Sequence, residues 1–162
     1  MSGPIFRYRN LTKQQRLISK DAVTFTIGKF CPRIQSRIQV RVRAIDGMLD
    51  RHWEYGHCTY MDESPSMREF QIDIEKSLTM PTYIRTLMHE LVHVKQHAKG
   101  EMKYYARSHK YIKWYNERID ADSVDYWELP WEIEAHGREE GLTQQFIQQY
   151  PQWESVCERE VI

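Results

Sequence analysis

One stretch of the 162-residue chain combines residue types at a spacing suited to hydrolytic chemistry: His89-Glu90-Leu91-Val92-His93. On a helix, residues i and i+4 lie one turn apart on the same face. His89 and His93 can therefore aim two neutral nitrogen ligands at one point. Glu90 sits beside that point, where a carboxylate can take a proton from metal-bound water. This is the arrangement that a zinc hydrolase needs.

That geometry requires the segment to be helical, and its flanks predict a helix over Thr82 to Ala98. Leu87, Met88, Leu91, Val92 and Val94 make the surroundings apolar, as a ligand-bearing helix inside a domain should be. Pro81 stands near the start, with Thr79 and Thr82 as candidate caps. Gly100 follows the last turn, where a left-handed stop costs glycine little.

A catalytic zinc site uses three protein ligands and keeps one position open for water. His97 is two turns beyond His89, about 12 Å along the axis, too far to share one ion with it. Lys99 stands where the longer H-E-x-x-H-x-x-G-x-x-H pattern places a third histidine. His52, His57 and His109 read as surface or hydrogen-bonding histidines. The better source is Leu129-Pro130-Trp131-Glu132-Ile133-Glu134-Ala135-His136, which reads as the start of a second helix running to about Tyr150 and interrupted by Gly137 and Gly141. Glu132 and Glu134 are two residues apart and point in different directions, so only one can be a ligand. His136 lies four residues after Glu132 on the same face, and Ala135 permits close helix approach. Glu132 is favoured as ligand, with His136 behind it and Glu134 solvent-facing or structural. An ordinary acidic first turn would also favour carboxylates there.

With these residues in hand, H-E-L-V-H followed about forty residues later by P-W-E-I-E-A-H resembles the zincin metallopeptidases of the glutamate-ligand type. The likeness is to minimal zincins: the ImmA/IrrE-type and SprT-like peptidases and small metallopeptidase-like proteins of bacteriophages. It covers roughly residues 68–142. The resemblance implies metal ligands at His89, His93 and Glu132, a general base at Glu90, a single catalytic Zn2+ and a peptide or protein substrate. His136 departs from it, standing where the family often has Asp or Asn bonding a ligand histidine. The third histidine of the SprT-like group is not evident. The implied fold is α+β, a small mixed sheet packed on the motif helix, with its edge strand above the metal. Glu69 to Ile74 is the expected edge strand, open to pairing with an extended peptide.

The rest of the chain must position this site. Its length and its 41% hydrophobic content predict one domain over residues 1–162, with a loose arm at 1–9 and a polar tail at 152–162 from which Trp153 and Val156 can pack back. Leu11 to about Ala22 reads as an amphipathic helix, and the alternating Val23 to Ile27 as a strand. Ile34 to Val42 reads as a strand with Ile38, Val40 and Val42 inward and Arg37, Arg41 and Arg43 outward, a basic face that suits a binding stripe for phosphates or an acidic partner but is favoured as a solvated sheet face. Tyr55 to Tyr60 and Glu69 to Ile74 read as further strands. Glu101 to Asp125 is an aromatic-rich excursion of strand or short helix.

Composition bounds the partners. The 23 basic and 23 acidic side chains cancel, which argues against a nucleic-acid partner. Three cysteines with no C-x-x-C pair argue against a disulfide scaffold. No long apolar run or leader pattern is present, so a cytoplasmic, membrane-free protein is expected. Tyr126 and His109 are candidate oxyanion donors. The rival to a peptidase is a non-catalytic zinc-binding interaction or assembly module, with the aromatic excursion and the basic strand as its contact surfaces.

Overall fold

Chain order separates two sheets on either side of the motif helix. The structure, a computed structural model, describes residues 2–62, 66–105 and 108–157, and for residues 108 and 109 the backbone alone. Strand β1 (Ile5–Arg9), helix α1 (Lys13–Phe30), strand β2 (Gln39–Ile45), helix α2 (Met48–His52), strand β3 (Gly56–Tyr60) and strand β4 (Glu69–Glu75) precede helix α3 (Met80–Ala98). Strands β5 (Met102–Tyr105), β6 (Ser108–Trp114) and β7 (Glu117–Asp120) follow it, then helices α4 (Pro130–Gln149) and α5 (Glu154–Cys157). The first sheet has the order β1-β2-β4-β3, with β1, β2 and β4 parallel and β3 antiparallel to β4. The second is an antiparallel β5-β6-β7 meander. The fold is a mixed α+β arrangement, as expected. No described helix is long and apolar enough to cross a membrane.

Helix α3 is buried on most of its circumference, because α1 and α4 flank it and the first sheet lies beneath it. Its stop is a glycine cap: Gly100 adopts φ +72°, its N–H donates to the His97 carbonyl at 3.0 Å, and the Glu101 N–H donates to the Gln96 carbonyl at 2.9 Å. Strand alternation turns Val40, Val42, Phe70, Ile72 and Ile74 into the core. The opposite charges of the two polar strand faces meet, since Arg43 and Asp73 are register partners and bond twice, at 2.8 and 2.6 Å. Such a cross-strand pair contributes about 0.2–1 kcal/mol.

Several local expectations are corrected. Residues 5–9 are no loose arm; they pair along β2 as strand β1. Val23 to Ile27 is helical, because α1 starts from a capping box at Thr12 and Gln15 and runs through to Phe30. Packing overrides strand propensity there: Thr26 bonds Met88 and the Phe25 ring meets Phe146. The basic strand begins at Gln39, since Gln35–Arg37 forms a 3-10 turn. Helix α4 passes Gly137 and Gly141 without a break. Strand β4 is interior, and β3 is the edge. In the tail, Trp153 does pack back, donating to Asp21 at 2.8 Å.

Glu75 locks the end of β4 to what precedes α3. Its carboxylate accepts from the backbone N–H groups of Met48, Leu49 and Ser77 and from the Ser77 hydroxyl, at 2.6 to 3.2 Å. Burial pushes this carboxyl up, but the four hydrogen bonds prevail and pull it down to about 2. A depressed carboxyl stabilises the fold above its unfolded value of 4.5 and loses that contribution as pH falls toward 2. Glu75→Gln is expected to cost about 1–3 kcal/mol at neutral pH. It is also expected to flatten the loss of stability between about pH 4.5 and 2, as read by denaturant titration across that range.

Candidate metal centre

Helices α3 and α4 pack so that one face of each brings candidate ligands to a shared point. The Nε2 atoms of His89 and His93 lie 3.2 Å apart. Glu132, in the first turn of α4, places Oε2 at 3.2 Å from the first and Oε1 at 3.4 Å from the second. Tetrahedral coordination with bonds of about 2.0–2.1 Å requires donor separations of about 3.3 Å. The two imidazole nitrogens and the carboxylate, which turns a different oxygen to each ring, thus stand near the spacing of three corners of a zinc tetrahedron. Two neutral imidazoles pointing lone pairs at each other across 3.2 Å repel unless a cation or proton lies between them, and the donor set of two nitrogens and one carboxylate oxygen suits zinc.

The other ring nitrogens are tied down. His89 Nδ1 lies 2.9 Å from Glu139 Oε2, and His93 Nδ1 lies 2.8 Å from Gln96 Oε1. With both Nδ1–H groups donating outward, both Nε2 lone pairs face the centre, which is the tautomer a metal needs. His89, His136 and Glu139 also cluster, but through the protonated side of the His89 ring, so this group supports the ring. Burial pushes the His89 imidazolium down, yet Glu132 and Glu139 prevail and hold it up to about 10. Burial raises the Glu132 carboxyl, and bonds from both histidines and Tyr126 pull it far below its ordinary range.

Glu90 is buried and faces the same cleft, a cavity of about 820 Å³. Burial raises its carboxyl, against the lowering influence of His93 and His89. Gly56 at the start of β3 passes so close that an added Cβ would lie 3.0 Å from Glu90 Oε1 and 2.8 Å from Thr86 Cγ2. Any side chain there would displace the carboxylate or the strand.

The structure brings together His89, Glu90, His93 and Glu132. Glu134 is held elsewhere: it bonds Lys95 at 2.5 Å, Gln96 at 3.0 Å and Arg138 at 2.9 Å, a structural role. His97 is stacked among Tyr60, Phe70 and Tyr104, away from the donors. Tyr126 reaches the centre, donating to Glu132 Oε2 at 2.8 Å and lying 3.2 Å from His136 Nε2. The side chain of His109 lies outside the described residues.

Sequence reasoning missed Glu139 and Gln96. His136 was expected behind the candidate ligands; it packs on the His89 ring at 4.4 Å, but Glu139 is the group that accepts from Nδ1–H. Glu139 is seven residues after Glu132, two turns along the same face, and that spacing could have marked it. Gln96 offered no comparable signal. Glu139→Ala is expected to weaken zinc binding by about 10–100-fold, measured by competition with a chelating dye. An unchanged affinity would show that the His89 ring is oriented without it.

No family model matches this chain, and neither the curated proteins nor the solved structures contain a match to it.

Proposed function

We propose that the protein is a zinc-dependent peptidase in which His89, His93 and Glu132 hold the ion and Glu90 is the general base. The observation that carries this reading is the convergence, in one cleft, of a three-donor triangle and a buried carboxylate on the same helical turn. Among the described residues no fourth protein donor joins the triangle, which leaves the open position that catalysis needs and a structural ion does not. A bound zinc supplies Lewis acidity and makes a coordinated water acidic near neutral pH.

The chain's own groups account for the proton and charge transfers. Glu90 accepts the proton of the attacking water and hands it to the departing amine. Tyr126, whose hydroxyl already lies beside Glu132, is placed to donate to the carbonyl oxygen as it gains charge. Glu139 and Gln96 keep the histidine rings from turning.

The cleft also suits an extended peptide. In the β3–β4 ladder, Glu75 N–H donates to Tyr55 and Met61 N–H to Glu69, so the odd residues of β3 face β4. Alternation then turns the backbone groups of Gly56, Cys58 and Tyr60 to the free edge. A substrate strand laid there pairs by main-chain bonds irrespective of its sequence. Trp53, Tyr55 and Trp127, all exposed, stand at the cleft as apolar surface for its side chains.

Glu90→Gln is expected to retain about one zinc per chain, as the parent does, and to lose casein cleavage by at least about 10²–10⁴-fold. Metal analysis and a labelled-casein assay read the two quantities separately. Parental activity in that variant would overturn the assignment of the base. A zinc-loaded parent that cleaves neither casein nor a mixed peptide pool would overturn the peptidase reading.

A further inference from the structure

A second surface is the face of the first sheet opposite α1 and α3, which among the described residues only α2 meets, at the Glu75 end of β4. Register places Arg7 opposite Arg41 and Arg9 opposite Arg43 on neighbouring parallel strands. Strand alternation puts all four on one face, opposite to the face from which Val40 and Val42 enter the core. Arg7, Arg9 and Arg41 are exposed, and among the described residues none has a carboxylate partner. Arg43 is half-buried and bound to Asp73.

This arrangement carries two costs. Like charges directly opposite one another destabilise a strand pair. Parallel strands are normally covered on both faces, and here helices α1 and α3 cover one while the arginines stand in water on the other. The Arg43–Asp73 pair offsets part of the first cost, and Arg7, Arg9 and Arg41 have no such partner among the described residues.

We propose that this face binds the phosphate backbone of duplex DNA without reading its bases. Guanidinium groups pair with phosphates bidentately. Arginines two residues apart along a strand are spaced by about 6.6 Å, comparable with successive phosphates along one nucleic-acid strand. The array's neighbours on β1, β2 and β4, which are Ile5, Gln39, Glu69, Gln71 and Asp73, carry no aromatic ring. A protein partner would require apolar anchors at the centre of the contact, and single strands would require stacking platforms. A rigid polyanion with one charge per about 1.7 Å requires neither. The chain's zero net charge does not oppose this: Glu69 and Asp73 share this face, but Asp73 is taken by Arg43, and Glu90, Glu132 and Glu139 lie around the cleft.

Fluorescence anisotropy with a labelled duplex of arbitrary sequence tests the proposal on the full, metal-loaded chain. With three unpaired arginines engaged, log K against log salt is expected to fall with a slope of about −3, a loss of about 40-fold between 50 and 200 mM salt. Arg7→Gln and Arg41→Gln should each reduce the slope by about 1, and the Arg7→Gln, Arg9→Gln, Arg41→Gln triple variant should abolish binding at 50 mM salt. The triple Arg→Lys variant should keep most of the slope, which separates lost charge from lost fold. No binding at 50 mM, equal binding by the triple Gln variant, or tighter binding to polyglutamate, duplex RNA or phosphatidylserine vesicles would each overturn it. Glu90→Gln should leave DNA binding unchanged, so the outcome is independent of the peptidase reading.

Discussion

The architecture around the cleft is governed by one electrostatic constraint: two imidazole nitrogens and a carboxylate are held within 3.2–3.4 Å of one another between two helices. Polar groups so placed are costly to bury unless each remaining donor and acceptor is met. The chain meets this with a ring of outer partners. Glu139 and Gln96 hold the histidines from behind, Tyr126 holds Glu132, and Lys95 ties Glu134 and Glu101 together at the next turn of α3. The last set clamps α4 against α3, and so fixes where Glu132 stands.

That clamp explains the different fates of two carboxylates separated by one residue. Glu132 and Glu134 are the same residue type, two positions apart near the start of α4. Helical geometry sends them about 200° apart, one to the imidazoles and one to Lys95 and Arg138. The face containing Ala135 and His136 is therefore enough to favour Glu132 from sequence. The motif helix was similarly legible, because its start at Pro81 and its stop at Gly100 are local signals of backbone geometry.

What the sequence hid was non-local. Val23 to Ile27 has the composition of a strand, and only the burial of both its sides against α3 and α4 makes the helix the better state. The segment Ile5–Arg9 is too short and too polar to declare itself, and becomes a strand by parallel pairing with residues more than thirty positions away. The basic stripe on β2 was visible alone, but its doubling by Arg7 and Arg9 depends on that pairing. Glu139 carried a weak signal in its helical spacing. Gln96 carried none, since its role depends on a rotamer.

The exchange of edge strands has a physical rationale in the positions of α3 and Glu90. A strand that runs directly into the motif helix, as β4 does, carries Phe70, Ile72 and Ile74 into the core beneath it and is best enclosed on both sides. The preceding strand β3 is then left outermost, where it passes over Glu90 and can offer backbone groups to the cleft. That passage is possible because residue 56 is glycine: the closest atoms to its missing side chain belong to Thr86 and to the carboxylate itself. The absence of a side chain at Gly56 therefore serves the site as directly as the presence of the histidines, for it lets an unpaired strand edge and a buried carboxylate address the same volume. The opposite face of the same sheet is free of that demand, and can carry arginines without disturbing the cluster of His89, His93 and Glu132.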